Sequence, residues 1–191
     1  MADLFTASDL HKDAPHPLAD SLRPDRLDAV LGQDHLVGPD GVLTRLLARG
    51  KMASLILWGP PGVGKTTIAR LIANEIDLDY REISAVFSGV KDLRAVFDQA
   101  ELSRARGQGT LLFVDEIHRF NRAQQDGFLN VVESGVITLI GATTENPSFE
   151  LNGALLSRCQ VLVLKRLDTA ALKILMGRAE AHYGEPLPLQ D

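Results

Sequence analysis

The residues with the clearest chemical purpose form a loop after an apolar segment. Ser54–Trp58 has the length of a strand, and a glycine- and proline-rich stretch follows it and ends in Lys65 and Thr66. The spacing G-x-x-x-x-G-K-[ST] between a strand and a helix is that of a phosphate-binding loop, or P-loop. Its glycines let backbone N–H groups converge, and the next helix adds the positive end of its dipole. We expect phosphate binding by Gly59, Pro60, Pro61, Gly62, Val63, Gly64, Lys65, Thr66 and Thr67.

Four roles can be assigned to residues in and around this loop. Lys65 would reach the β- and γ-phosphates of ATP, and the Thr66 hydroxyl would ligate Mg²⁺. Asp115 follows four apolar residues, which is the Walker B form, and its carboxylate would hold Mg²⁺ through water. Glu116 would orient and polarise the attacking water, as a second carboxylate beside the γ-phosphate can. The alternative is a pair of solvated acids at the end of a strand.

Further polar residues end neighbouring strands or follow them. Thr143 or Thr144 would hydrogen-bond the attacking water or the γ-phosphate, with Asn146 as a rival and turn capping as the alternative. Ser84 would hold Glu116 away from the site until a partner arrives. His118 has no metal-ligand spacing around it, so a packed or hydrogen-bonded histidine is expected rather than a ligand.

Composition limits the class of protein. The chain has 191 residues, which fits one domain or one and a part, and 45% of them are hydrophobic. Its net charge of −5 gives no general indication of nucleic-acid binding. Its single cysteine excludes an internal disulfide framework. No apolar run approaches the ~18 residues of a membrane span, and no secretory signal is visible. We therefore expect a cytoplasmic protein without a membrane partner.

Strand and helix patterns alternate along the chain. The apolar runs predict strands at 54–58, 80–84, 110–114, 136–140 and 160–164, and helical periodicity predicts helices after 65, at 89–106 and at 123–133. This order indicates an α/β fold with a five-stranded parallel sheet between two helical layers. In such sheets, ligands bind beyond the carboxyl ends of the strands, where the P-loop, Asp115 and Thr143 would all lie.

The ends of the chain have a different character. Residues 1–20 read as a loose tail, and Asp3-Leu4-Phe5 within it resembles peptides that bind a sliding clamp, the alternative being an ordinary flexible start. Residues 21–166 form the predicted core, whose first part is an arm that would either wrap the adenine or simply pack against the core. Residues 167–191 begin a further helix that starts near Asp168.

Longer motifs carry a resemblance to a known family. The P-loop, Asp115-Glu116, Thr143-Thr144 and Leu156–Cys159 together resemble AAA+ ATPases of the clamp-loader kind. The stretches 115–126 and 141–152 are distinctive and resemble the family of bacterial replication-associated recombination proteins and the Werner-helicase-interacting protein. The resemblance covers about residue 18 to the end of the chain.

The resemblance implies more than the residues do. From the residues alone, Arg158 would be a surface or helix-capping arginine. The resemblance implies that it acts as the arginine finger on the nucleotide of an adjacent subunit. The arm around Gly32 and Gln33 would help to hold the adenine. The fold would be a three-layer P-loop AAA+ core followed by the first helix of a helical lid, with the rest of the lid and the oligomerisation region lying outside this sequence.

The family also implies a cellular role. Its members are oligomeric, DNA-stimulated ATPases that act on duplex ends and gaps at stalled forks and associate with single-stranded-DNA-binding protein. We therefore predict a Mg-ATP-dependent motor, associated with the nucleoid, that remodels DNA at replication forks. The alternatives are a Holliday-junction branch-migration motor, a nucleotide-gated scaffold for a clamp or single-stranded-DNA-binding protein and, more distantly, a small-molecule kinase with a P-loop.

Overall fold

The computed structural model describes residues 18–50 and 52–186. The chain divides into two compact units. One is Pro24–Asp168, and the other joins the N-terminal segment through Arg23 to the C-terminal segment from Thr169 onward. Asp3-Leu4-Phe5 lies outside the described residues. Within the described ranges, none of the helices has both the length and the apolar character needed to cross a membrane.

The elements of the Pro24–Asp168 unit alternate between helix and strand. Its strands are β1 (Ser54–Trp58), β2 (Asp79–Ser84), β3 (Thr110–Asp115), β4 (Ile137–Thr143) and β5 (Cys159–Val163). Its helices, numbered after a first helix α1 that belongs to the other unit, are α2 (Asp34–Val37), α3 (Val42–Ala48), α4 (Lys65–Glu75), α5 (Val90–Ala105), α6 (Arg122–Glu133), α7 (Pro147–Glu150) and α8 (Gly153–Leu156). Single 3₁₀ turns cover Leu27–Ala29 and Ile117–Arg119.

The strands form one parallel sheet, as the sequence predicts. Their order is β2-β3-β4-β1-β5, so the strand that leads into the P-loop lies between β4 and β5. Trp58 at the end of β1 is level with Thr143 at the end of β4, and Gly59 donates its N–H to the Thr143 carbonyl at 3.1 Å. The sheet therefore brings the start of the P-loop beside the end of β4.

Alternate residues of each strand pack into two cores, one on each face of the sheet. On one face Leu55 and Leu57 of β1 pack with Ile68 and Ile72 of α4. On the other face Ile56 packs in the cluster that contains Leu93 of α5 and Phe128 of α6. Strands covered on both faces read as continuous apolar runs, which explains why the sequence located them to within a few residues.

The prediction for β4 was wrong at its end. The sequence suggested that Gly141, Ala142 and Thr143 leave the strand after Ile140, but they continue it to Thr143. The reason lies in packing: a Cβ on Gly141 would come within 2.9 Å of Ile117 Cδ1 and of Ile56 Cδ1. Glycine here gives room for buried neighbours rather than ending the strand. The extension carries Thr143 to the edge of the sheet.

The second unit contains α1 (Leu18–Ser21) and α9 (Thr169–Tyr183). The single turn of α1 begins inside residues 1–20, where the sequence suggested a loose tail. Arg23 Nε contacts Asp20 Oδ1 at 2.5 Å just beyond this turn, and that pairing fits a helical rather than an open chain. Helix α9 starts within one residue of its predicted position.

The arm before β1 is fastened to the exit of β5 by a buried glutamine. The Gln33 side chain is fully buried; its Nε2 donates to the Lys165 carbonyl at 2.7 Å, and its Oε1 accepts from the Lys165 N–H at 3.0 Å. His35 Nε2 lies 2.9 Å from the Val163 carbonyl. These contacts give both the amide nitrogen and the amide oxygen of Gln33 a partner, as a buried polar group requires.

Replacing Gln33 with alanine is expected to loosen this attachment. The substitution removes two hydrogen bonds and leaves a void at a buried position, so we expect a loss of about 1–3 kcal/mol of unfolding free energy. Thermal unfolding of the two proteins would measure this as a fall of several degrees. The matched control is Gln160→Ala, because Gln160 is exposed on β5. An equal fall in both variants would contradict the fastening role.

Candidate nucleotide site

The P-loop lies between β1 and α4 with the backbone geometry that phosphate binding requires. Gly62 and Gly64 have φ values of +77° and +98°, which side chains other than glycine rarely adopt. A Cβ on either residue would meet no atom within 4 Å, so the loop borders open space. Gly59 is constrained differently, because a Cβ there would lie 2.6 Å from the Leu164 carbonyl. The loop is therefore tight at its base and open at its tip.

Lys65 begins α4 and turns its side chain back over the loop. The residue is only 8% exposed, and Nζ donates to the carbonyls of Gly59 at 2.8 Å and Pro60 at 2.9 Å. Burial lowers the pKa of Lys65, and the charges of Glu116 and Asp115 act against that shift. A cation held by carbonyls alone lacks a neutralising partner, so it is suited to a phosphate.

Asp115 ends β3 at the same edge of the sheet. It follows Leu111 and Phe113 in the alternation of β3, so it belongs to the face that α4 covers. Burial raises its pKa, and the charge of the adjacent Glu116 raises it further. A partly buried carboxylate beside another carboxylate favours a cation, and the fold places this one near Lys65 and α4.

Glu116 does not continue the strand. Strand β3 ends at Asp115, and Glu116 has φ +50° and ψ +46°. A non-glycine residue in the left-handed region is uncommon, and it turns the chain sharply into the 3₁₀ turn that follows. The two carboxylates are thus separated by this backbone turn rather than by the pleat of the strand.

Polar residues at the end of β4 meet the Glu116 carboxylate. Thr144 Oγ1 donates to Glu116 Oε2 at 3.3 Å. Thr143 is fully buried, and its Oγ1 lies 2.9 Å from His118 Nδ1. Asn146 caps α7, accepting the Ser148 N–H at 3.0 Å, so it has the turn-capping role named above as the alternative.

The sequence did not predict that His118 lies in the candidate site. Its Nδ1 lies 3.2 Å from Glu116 Oε2 as well as close to Thr143, and its side chain is 7% exposed. It is a hydrogen-bonded histidine, as expected, but it lies inside the site rather than elsewhere in the core. In the described part of the chain no cluster of three or more acidic, histidine or cysteine side chains could hold a metal ion. The only signal was its position two residues after Glu116.

Ser84 does not hold Glu116 in this structure. It ends β2 level with Asp115, and the Ala85 N–H donates to the Asp115 carbonyl at 2.9 Å. Within residues 18–50 and 52–186 the Glu116 carboxylate is bound by Thr144 and His118 and not by Ser84. Two residues contact the carboxylate: His118 from the turn after β3, and Thr144 just beyond the end of β4. The strand patterns did not reveal these two contacts.

The arm reaches the base of the P-loop through a chain of contacts. Gln33 bonds the backbone of Lys165, and the neighbouring Leu164 both approaches Gly59 and donates its N–H to the Trp58 carbonyl at 2.7 Å. Gly32, with φ +71°, makes the turn just before Gln33. The Gln33 side chain is thus turned toward the backbone of Lys165.

Arg158 is the predicted site residue that the fold separates from the others. It precedes β5, and Cys159 is level with Ser54 at the start of β1, whereas the P-loop follows the end of β1. Four strand steps of about 3.3 Å put Arg158 about 13 Å or more from its own P-loop, at the opposite edge of the sheet. There it pairs with Glu133 at the end of α6 and donates to the Ala154 carbonyl at 2.6 Å.

The donor set fits a nucleotide-bound Mg²⁺. Thr66 follows Lys65 at the start of α4 and Asp115 ends β3, and together they offer one hydroxyl and one carboxylate. Mg²⁺ keeps several waters and takes only one or two protein ligands when substrate phosphates supply the rest. The carboxylate with a raised pKa and the open tip of the loop are consistent with that arrangement.

Comparison with known proteins gives consistent matches. The profile of the family described as "ATPase family associated with various cellular activities (AAA)" matches residues 55–167. Replication-associated recombination protein A of Coxiella burnetii is 55% identical over 166 residues, which are 87% of this chain and 37% of that protein. The ATPase WRNIP1 of Dictyostelium discoideum is 48% identical over 85% of this chain and 18% of its own length. The chain thus spans well under half of these relatives.

Solved structures agree with the sequence matches. The RuvB Holliday junction branch migration motor of Thermotoga maritima superposes with a TM-score of 0.72 and 32% identity. The match covers 85% of this chain and 55% of that one.

The geometry of Lys65 leads to a direct test. We expect Lys65→Ala to abolish detectable nucleotide binding, because a buried charge-assisted contact to phosphate contributes about 3 kcal/mol, or about 100-fold in affinity. Titration with a fluorescent ATP analogue measures this, and thermal unfolding checks the fold. Lys173→Ala, which changes an exposed lysine, is the control. Unchanged affinity in the Lys65 variant would reject the assignment of the phosphate site.

Proposed function

The chain belongs to the family of ATPases associated with various cellular activities (AAA), and from that membership we propose that it binds and hydrolyses Mg-ATP to drive remodelling of DNA at stalled replication forks. The relatives named replication-associated recombination protein A, at 55% identity, agree with the resemblance drawn from the motifs. They support a role in replication-associated recombination. Because the chain covers only part of those relatives, the role of the whole protein remains a proposal.

One observation carries the proposed hydrolysis. Lys65, Asp115 and Glu116 lie close enough to influence one another's charge, and Lys65 has carbonyls rather than carboxylates as its hydrogen-bond partners. A structural ion pair would join the lysine to an acid. Here the cation and the two acids are kept apart at the edge of the sheet where ligands of parallel α/β folds bind, which supports an ATP site.

The residues divide the proposed reaction among them. The P-loop amides and Lys65 would bind the β- and γ-phosphates, and Thr66 with Asp115 would hold Mg²⁺, which would supply positive charge to neutralise the phosphates. Glu116 orients the attacking water through its carboxylate. Thr143 or Thr144 would hydrogen-bond the attacking water or the γ-phosphate. Thr144, the less buried of the two, also donates to the Glu116 carboxylate.

The position of Arg158 supports an arginine finger that acts between subunits. A side chain at the opposite edge of the sheet from the P-loop is unable to reach its own γ-phosphate, but it can be presented to a neighbour. Its pair with Glu133 is exposed, so releasing it costs little. A cation on the transferring phosphoryl group accelerates hydrolysis strongly. The proposal therefore includes a homo-oligomer as the active form.

DNA and protein partners complete the proposal. Duplex ends, gaps and fork structures are the proposed DNA substrates, and single-stranded-DNA-binding protein is a proposed partner, as the family resemblance implies. A sliding clamp would bind Asp3-Leu4-Phe5, which lies outside the described residues. The proposed location is the cytoplasm, in association with the nucleoid.

A branch-migration motor is the second candidate. It is favoured by the structural match to RuvB, which is titled a Holliday junction branch migration motor. Against it stands the lower sequence identity, 32% compared with 55% for the recombination protein. The two candidates share the ATP site and differ in the DNA that should stimulate hydrolysis.

The DNA dependence of ATP hydrolysis tests the proposal. With the full-length gene product, we expect turnover to rise in the presence of duplexes with ends or gaps and to stay low with closed circles. Glu116→Gln should still bind ATP but lose about 100-fold or more in turnover, since it lacks the water-orienting carboxylate. Steady-state phosphate release and fluorescent-nucleotide binding measure the two effects.

Three other results would change this conclusion. Stimulation by four-way junctions alone would favour branch migration. Hydrolysis that ignores every DNA would leave the ATP site but remove DNA as the activator, and a protein partner would take its place. Normal turnover by Glu116→Gln would remove Glu116 from the proposed mechanism.

Mixing variants tests whether Arg158 acts between subunits. Arg158→Ala should bind ATP and hydrolyse it up to about 1,000-fold more slowly, the size typical of a lost arginine finger. Mixed with Glu116→Gln, it should recover part of the activity, because some interfaces then combine an intact Glu116 with an intact Arg158. Arg94→Ala, an exposed arginine on α5, is the control. Mixtures no more active than the separate variants would argue against action in trans.

A further inference from the structure

One side chain joins the ends of β3 and β4 at the candidate site. His118 lies in the 3₁₀ turn after Glu116, with Nδ1 2.9 Å from Thr143 Oγ1 and 3.2 Å from Glu116 Oε2. It is 7% exposed, whereas Glu116 is 28% exposed. The imidazole is thus a nearly buried bridge between a buried hydroxyl and a carboxylate that reaches solvent.

The contacts favour one tautomer of His118. A carboxylate accepts hydrogen bonds and donates none, so a protonated nitrogen is the favourable one at 3.2 Å from Oε2 of Glu116. Thr143 Oγ1 can use its own hydrogen on the Glu145 carbonyl at 3.2 Å while it accepts the Glu145 N–H at 3.1 Å. It then faces His118 as an acceptor as well. Nδ1–H satisfies both oxygens, and a bare Nδ1 would leave Oε2 facing a lone pair.

The carboxylate of Glu116 is held by one oxygen and free at the other. Oε2 accepts the hydrogen of the Thr144 hydroxyl and lies 3.2 Å from His118 Nδ1. Within the described ranges no hydrogen bond reaches Oε1. This is the arrangement that a water-orienting carboxylate needs, with one oxygen fixed and one available to water.

The backbone around the bridge is fixed by packing. Glu116 adopts φ +50°, and Ile117 after it is fully buried. Gly141 of β4 lies against Ile117 so closely that a Cβ would approach Ile117 Cδ1 to 2.9 Å. The turn that contains His118 is therefore packed against β4. The left-handed backbone of Glu116 allows its side chain to contact Thr144 just beyond the end of β4.

From these contacts we propose that His118 is a positioning residue for hydrolysis, whose Nδ1–H fixes Oε2 of Glu116 to the Thr143 end of β4 so that Oε1 faces the attacking water. This inference rests on the proposed function, because it takes Glu116 as the water-orienting group. It goes further by assigning the group that sets the orientation of Glu116 and by linking that orientation to β4.

Substitutions at position 118 separate this role from simple packing. His118→Ala removes the donor, and we expect kcat for ATP hydrolysis to fall about 10- to 100-fold with KM nearly unchanged, a part of the effect of a positioned base. His118→Asn should recover much of kcat, because its amide nitrogen is one bond from Cγ, as Nδ1 is. His118→Gln places its nitrogen one bond further out, near Nε2, and should recover little. His182→Ala is the matched control, since His182 is exposed in α9.

A spectroscopic measurement tests the same hydrogen without any turnover. In the chain labelled with ¹⁵N-histidine, we expect His118 Nδ1 to show the chemical shift of a protonated nitrogen, and the signal to be assigned by its absence in His118→Asn. A bare Nδ1 would overturn the proposal whatever the kinetics show. So would turnover by His118→Ala within about twofold of the unsubstituted protein, or equal losses in the alanine, asparagine and glutamine variants.

The failure of this inference differs from the failure of the proposed function. If Glu116→Gln turns over normally, the role of Glu116 is wrong and the positioning role falls with it. If Glu116→Gln is inactive and His118→Ala is not, only the role of His118 is wrong. If His118→Ala turns over faster than the unsubstituted protein, the bond restrains Glu116 rather than orienting it, and the proposal is overturned.

Discussion

The burial of an unneutralised cation at the start of a helix is the constraint on which the site depends. Lys65 is 8% exposed and bonded only to the carbonyls of Gly59 and Pro60. A lysine in that place requires a loop whose carbonyls turn inward while its amides turn outward, and left-handed glycines make such a turn possible. It also requires a fixed base for the loop, which Leu164 and the end of β4 supply. The sheet order, with β1 between β4 and β5, provides both supports at once.

Parallel strands divide the functional residues between two edges. The P-loop, Asp115 and Thr143 lie at the carboxyl edge, where β1, β3 and β4 end together. Arg158 precedes β5 and so lies at the amino edge. A single sheet of this kind is unable to bring Arg158 to the nucleotide of its own chain, whatever the rotamer of the arginine. Under the proposed function, one chain would bind ATP at the carboxyl edge, and a second chain would supply the arginine for rapid hydrolysis.

The sequence predicted the sheet and the phosphate loop well because both depend on local pattern. Apolar runs covered on two faces located β1 and β3, and the P-loop spacing located the bend between β1 and α4. Prediction failed where tertiary packing overrides local preference. Gly141 suggested the end of a strand but instead makes room for Ile117, and the left-handed conformation of Glu116 has no local signal in a glutamate. The bridging position of His118 depends on that conformation, so spacing alone was unable to reveal it.

The same two charges that make the site useful also disfavour the ligand-free fold. Burial lowers the pKa of Lys65, so at neutral pH the protonated lysine is less stable in the fold than in the unfolded chain. Burial and Glu116 raise the pKa of Asp115, and stability associated with its protonated form is lost as pH rises through that folded value. Each shift disfavours the charged form of its group in the fold. Phosphate beside the lysine and a divalent cation beside the aspartate would reverse both effects together, since each brings the opposite charge. The fold therefore places two incompletely solvated groups of opposite charge at one edge of the sheet, where a metal-bound nucleotide would bring a counter-charge to each.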